Sequence, residues 1–144
     1  MKVSIYFICS IVTIYMLFGC KKDNSLSLIG SDLIGNWELR KAEGSITINY
    51  SSGNGSIYQF TDTAYSTFSN GVLIKKGHYK ITVDTTASGQ VGLIISPGQY
   101  TNRIIFDNDT LSNKIFFQIV ANKLSLLSGF FPLDGGSFRT YEKQ

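Results

Sequence analysis

The chain has little cysteine and little proline, with two residues of each among its 144 residues. Cys9 and Cys20 lie near the start, so the rest of the sequence offers no disulfide and no thiol ligand for a metal. Neither sign of charge dominates, because the net charge is +3 at pH 7 and the basic residues are scattered. This balance argues against a nucleic-acid partner.

Patterns that carry catalysis are also missing. The sequence contains no Gly-x-Ser-x-Gly, no phosphate loop and no cluster of histidine with carboxylates. The single histidine, His78, has no second group nearby for general acid–base work. Asp107–Asp109 begins like a calcium loop, but Leu111 and Ser112 stand where an oxygen ligand and a glycine are needed. We therefore expect no enzymatic activity, no cofactor and no metal.

A short apolar run ends in a cysteine at the start of the sequence. Val3–Phe18 follows Lys2 and is shorter than the ~20 apolar residues that span a bilayer. Leu17-Phe18-Gly19-Cys20 resembles the lipobox of bacterial lipoproteins, which are cleaved before a cysteine that then carries the lipid. The resemblance implies a signal peptide over residues 1–19 and an outer membrane lipoprotein, facing the periplasm or the surface. An uncleaved anchor helix is the alternative.

The rest of the chain divides into a tether and one domain. Residues 20–32 are polar and irregular, which indicates a flexible tether behind the lipidated Cys20. Residues 33–144 contain short apolar stretches separated by turn residues, with no sustained helical period. Aromatic residues suit half-buried strands, and the chain has eight tyrosines and ten phenylalanines. The predicted strands are Asn36–Ala42, Ser45–Tyr50, Ser56–Thr61, Ala64–Ser69, Val72–Val83, Gln90–Ser96, Asn102–Asp107, Lys114–Ala121, Lys123–Ser128 and Ser137–Lys143.

Alternation within these strands predicts how they assemble. Tyr79, Ile81 and Val83 share one face, with His78 and Lys80 opposite. The short connections make neighbouring strands antiparallel, and their apolar faces are covered either in a sandwich or by closure into a barrel. Closure also removes exposed edges. We expect an all-β fold, an antiparallel up-and-down β-barrel of about eight strands.

Three segments of the domain resemble known proteins. Gly35-Asn36-Trp37 resembles the Gly-x-Trp signature that opens the first strand of lipocalins. Gly77–Ile81, and Asn122–Leu126 with Phe138–Lys143, are similar to the small lipocalin-like domains of Bacteroidota lipoproteins. The resemblance covers about residues 33–143. It implies that Gly35 and Trp37 close one end of the barrel beneath a C-terminal basic side chain, with Arg139 as the best match and Lys143 as the second.

The resemblance also implies a binding function. An eight-stranded barrel is just wide enough to be filled by side chains or to hold one small ligand. On this interpretation a monomeric barrel binds a small apolar ligand, and its cavity is lined by Tyr58, Phe60, Tyr79, Phe106 and Phe117.

A different kind of function remains open. The loop Gly129-Phe130-Phe131-Pro132-Leu133 is apolar where turns are normally polar. It is either a lid over the barrel mouth or an exposed patch that marks a contact site. The alternative is therefore a filled barrel that acts as a structural module, or binds protein or glycan partners in the envelope.

Three Asp-Thr tripeptides fall in predicted turns. They resemble the acceptor sequence for O-glycosylation of exported Bacteroidota proteins, and the candidate acceptors are Thr63, Thr85 and Thr110. Asp-Thr pairs also suit turns for a simpler reason, because both side chains can bond to the local backbone.

Overall fold

The structure is a computed structural model that describes residues 25–144. The predicted signal peptide and Cys20 lie outside the described residues. Neither α-helix in the described part has the length and apolar content needed to span a membrane. In chain order the elements are α1 Ser25–Leu33, β1 Gly35–Glu43, β2 Thr47–Asn49, β3 Ile57–Phe60, β4 Ala64–Ser69, β5 Val72–Val83, α2 Ala87–Val91, β6 Asn102–Phe106, β7 Ile115–Val120, β8 Lys123–Ser128, a 3-10 turn Phe131–Leu133 and β9 Ser137–Lys143.

The strands form a closed antiparallel barrel, as the sequence predicted. From β3 to β9 each strand pairs with the next along the chain, and β1 closes the ring by pairing with both β3 and β9. Trp37 of β1 lies opposite Tyr58 on one side and Lys143 on the other. β2 pairs only with the second half of β1, so β2 and β3 together occupy one of the eight positions.

One predicted strand, Gln90–Ser96, is wrong. This region contains the end of α2 and then irregular chain, and β5 pairs directly with β6 without leaving space for another strand. Ala87 and Val91 are four residues apart, so one face of the short helix can bury both. Gly92 ends the helix with a left-handed φ of 70°.

The first helix lies where the sequence suggested an irregular tether. α1 precedes β1 and covers one end of the barrel, which we call the closed end. Leu33 is fully buried against the core, and Ile29 packs beside it one turn earlier. The opposite end, which we call the open end, carries the β1–β2, β4–β5, β6–β7 and β8–β9 connections.

A second apolar cluster lies on the outside of the barrel. Phe116 of β7 and Leu127 of β8 face outward and are buried under Ala87 and Val91 of α2. Phe131 of the 3-10 turn packs at the edge of the same cluster. This cover explains why β7 is apolar on both faces.

Candidate functional site

The closed end is built around Trp37. Its ring is fully buried, and its indole Nε1 donates a hydrogen bond to the Leu33 carbonyl oxygen at 2.7 Å. The cation over the ring is Lys143, whose Nζ lies 5.1 Å from the ring centroid, and not the expected Arg139. Strand register explains the correction, because Lys143 is directly opposite Trp37 whereas Arg139 is opposite Ala42. Gly35 gives Lys143 room, since a Cβ there would lie 3.0 Å from Lys143 Cε.

The aromatic residues predicted to line a cavity pack against one another. Tyr58 stacks on Phe60 with ring centroids 5.4 Å apart and lies 6.0 Å from Phe106, while Phe60 meets Tyr79 edge-on at 5.1 Å. Phe117 is 2% exposed in the same cluster. These rings therefore fill the middle of the barrel. We call the surface that they present toward the open end the ring floor.

Two further tyrosines belong to this cluster. Tyr65 packs edge-on against Phe106 with centroids 4.5 Å apart, and Tyr141 does the same against Tyr58 at 5.4 Å. Both are 3% exposed. Alternation within predicted strands could have found them, because Tyr65 stands between Ala64 and Ser66, and Tyr141 between Thr140 and Glu142.

Beyond the rings, the interior positions toward the open end combine short side chains with two basic ones. Residues paired across neighbouring strands share a face, so the register places Ser128 with Ser137, Thr67 with Lys75 and Ala42 with Arg139 on the interior wall. We call this region the vestibule. Its wall consists of Ala42, Thr67, Lys75, Ser128, Ser137 and Arg139, with Ile115 beside Ser128.

One vestibule cation is already neutralised. Lys75 Nζ lies 2.9 Å from Asp107 Oδ2, which also accepts a hydrogen bond from the Tyr65 hydroxyl at 2.9 Å. Hydrogen bonds to Asp107 and Tyr65 raise the pKa of Lys75, and hydrogen bonds from Lys75 and Tyr65 lower the pKa of Asp107. Gly77 leaves space for this carboxylate, because a Cβ there would come within 2.0 Å of Asp107 Oδ1.

The other vestibule cation has no acidic partner among the described residues. Arg139 is exposed, and it forms no ion pair within residues 25–144. It lies close enough to two tyrosines to oppose the rise in pKa that burial causes in Tyr58 and Tyr141. Of the two basic residues in the vestibule wall, Arg139 is therefore the one that no described carboxylate neutralises through an ion pair, while Asp109 and Asp134 lie in the open-end connections.

Exposed apolar side chains concentrate around the open end. Four connections and the strand ends beside them contribute Ile46, Ile48, Val72, Leu73, Ile74, Leu111, Phe130 and Leu133. We call this set the apolar rim. In the described part of the closed end, the exposed large aliphatic residues are Val83 and Val120.

The predicted apolar loop lies partly on the outer wall. Phe131 packs into the outer cluster, and Pro132 lies against Gly92 of the loop after α2. Phe131 and Phe138 also line a groove of about 310 Å³, together with the exposed Ile94. The loop is thus neither a simple lid nor fully exposed.

The remaining candidate residues, His78 and three threonines, lie outside the vestibule wall. His78 is exposed on the outside of β5. Thr63, Thr85 and Thr110 are all exposed in connections between elements, which is where a transferase can reach a hydroxyl.

Neither protein-family models, nor curated proteins, nor solved structures give a match to this chain. The resemblance to lipocalins therefore rests on the barrel and on the motifs within it.

Proposed function

We propose that this chain is a lipid-anchored, monomeric binding protein of the bacterial cell envelope, and not an enzyme. Its barrel binds a small molecule with an apolar part at the open end. The lipobox-like segment ending at Cys20 supports the anchor. Because α1 leads into the closed end, an anchor at Cys20 leaves the open end free to meet a ligand.

The apolar rim is the observation that carries this proposal. Soluble surfaces rarely gather many large apolar side chains in one region unless that region makes a contact. Val72, Leu73 and Ile74 are 64%, 49% and 65% exposed beside the vestibule. The ring floor supplies apolar contact area beneath the rim, so an apolar group can be covered from two sides.

A fluorescence titration tests the proposal. The probe is 11-(dansylamino)undecan-1-ol, and the protein begins at Lys21, which retains every described helix and strand. We expect the dansyl emission to rise on binding and Val72→Ser to weaken the affinity by about three- to tenfold. Val120→Ser is the matched control, because Val120 is 62% exposed at the closed end. No binding, or equal loss in both variants, contradicts the proposal.

A second candidate function is a protein or glycan contact through the outer wall. The groove beside Phe131 and Phe138 favours it, because Ile94 stands fully exposed at its edge. Ile94→Ser and Leu93→Ser change this surface without removing a buried side chain, because both residues line the groove and are exposed. Loss of a co-purifying envelope partner in these variants supports this function, and an unchanged set of partners contradicts it.

We also propose O-glycosylation at Thr63, Thr85 and Thr110. Support comes from the Asp-Thr sequences and from the exposure of all three residues. The intact mass of protein from the native envelope tests it. The triple Thr→Ala variant is expected to lose the glycan mass, whereas an unglycosylated parent protein contradicts the proposal.

A further inference from the structure

We propose that the open-end site recognises an anionic head group, such as a carboxylate, and that Arg139 binds it. The ligand is then an amphiphile, with its charged end in the vestibule and its apolar part on the rim or the ring floor. This inference rests on the proposed function, because it concerns the same open-end site.

The position of Arg139 is the first argument. In the register it lies between Ala42 of β1 and Leu126 of β8, on the same face as the buried Tyr141. Its side chain therefore starts from the interior wall of the barrel. The neighbouring wall positions Ala42, Ser128 and Ser137 carry short side chains without charge.

Charge is the second argument. Asp107 already binds Lys75 at 2.9 Å, and Glu43, at the same end of β1, binds Lys41 at 2.8 Å. Arg139 is thus left without a carboxylate among the described residues. A guanidinium offers a planar fork of donors that matches two oxygens of a carboxylate, so an anionic ligand can supply the missing partner.

Two hydroxyls strengthen the site. The Tyr58 and Tyr141 rings meet edge-on at 5.4 Å, and both tyrosines interact with Arg139. Burial raises the pKa of both hydroxyls, so each keeps its proton at neutral pH and can donate to an anion. Arg139 and Tyr141 thus lie on the same face of β9, next to Tyr58, and all three carry groups that can donate a hydrogen bond to an anion.

A pair of matched probes tests the inference. We compare 11-(dansylamino)undecanoic acid with the alcohol 11-(dansylamino)undecan-1-ol, which differs only at the head group. The carboxylate is expected to bind at least about tenfold more tightly to the parent protein. Arg139→Gln is expected to remove this preference while the alcohol still binds, and Arg139→Lys is expected to restore part of it. Lys123→Gln, at the closed end, is the charge-matched control.

The possible outcomes distinguish failure of the head-group inference from failure of the proposed ligand binding at the open end. If both probes bind equally and Arg139→Gln changes neither, the head-group inference is wrong and open-end binding stands. If Arg139→Gln weakens both probes equally, Arg139 has only a structural role and the inference is again wrong. If neither probe binds to the parent protein, the proposed function fails and the inference fails with it.

Discussion

At the scale of single residues, a buried carboxylate holds the β2–β3 connection to the barrel wall. Glu38 is 2% exposed and accepts hydrogen bonds from the backbone N–H groups of Gly53 and Gly55, both at 3.1 Å. Arg40 binds the same carboxylate and also Glu142 at 3.0 Å. Burial alone would raise the pKa of Glu38, but the hydrogen bonds from Arg40, Gly53 and Gly55 outweigh it and lower the pKa.

Glu38→Gln tests this arrangement. The amide keeps the shape but loses the charge, so we expect the free energy of unfolding to fall by about 2 kcal/mol. Glu43→Gln is the control, because Glu43 forms a more exposed pair with Lys41 and is expected to cost less than about 0.5 kcal/mol. Urea denaturation measures both variants. Equal losses of unfolding free energy in the two variants would contradict a larger contribution from the buried Glu38.

Asp84 gives the fold a dependence on acid. Its carboxylate lies 2.8 Å from Lys114 Nζ and accepts hydrogen bonds from Thr86. Burial opposes the charged form, but Lys114 and Thr86 outweigh it and lower the pKa of Asp84 from 3.8 to about 2. A lowered pKa in the folded state means that the stabilisation is complete above the unfolded-state value and disappears as the pH falls.

The expected result is a loss of stability between about pH 4 and pH 2. Asp84→Asn carries no titrating proton at this position, so its unfolding free energy should be lower at pH 7 and should decline less across that range. Thermal unfolding at a series of pH values measures the difference. Parallel pH profiles for the parent protein and Asp84→Asn would contradict the assignment.

At the scale of elements, α2 and β7 depend on each other. Phe116 is fully buried although it faces out of the barrel, and Ala87 and Val91 of α2 are its cover. Phe116→Ala is expected to destabilise the protein by about 3–5 kcal/mol, because it leaves a cavity between helix and barrel. The exposed Val120, on the same strand, is the control and should change stability by less than about 0.5 kcal/mol on substitution by Ala. Comparable losses at both positions in urea denaturation would contradict this account.

The strands were predictable to the extent that their pattern is local. β4, β5, β8 and β9 have the predicted bounds, because tight turns and alternating side chains mark them in the sequence. The segment Gln90–Ser96 was misassigned, because its apolar residues also suit a short helix and a loop that pack on the outer wall. That choice depends on Phe116, which is distant in sequence.

The candidate site was predictable only in part, for a similar reason. The inward aromatic residues were identified, but whether rings enclose a space or fill it depends on their mutual packing. The exchange of Arg139 for Lys143 over Trp37 follows from the register of β1 with β9, in which Trp37 pairs with Lys143. Sequence spacing alone does not determine which residues face each other across two strands that are distant in the chain.

At the scale of the whole molecule, the proposed anchor fixes where the barrel works. If Cys20 is the lipidation site, the intact protein from the bacterial envelope should begin at Cys20 and carry the added mass of its acyl chains. Cys20→Ala should abolish both the cleavage and the lipid, because the modified thiol is missing. Intact-mass measurement checks this prediction. An envelope protein that still begins at Met1 without lipid would contradict it.

The central claim is that a ligand binds above a filled aromatic interior, at the open end of the barrel. Chemical-shift mapping by NMR, with 11-(dansylamino)undecanoic acid added to the protein beginning at Lys21, tests it most directly. The account predicts shifts in backbone amides of Thr67, Val72–Lys75, Ser128 and Ser137, with little change at Val83 and Val120. Shifts confined to the closed end or to the groove beside Ile94, or no shifts at all, would contradict it.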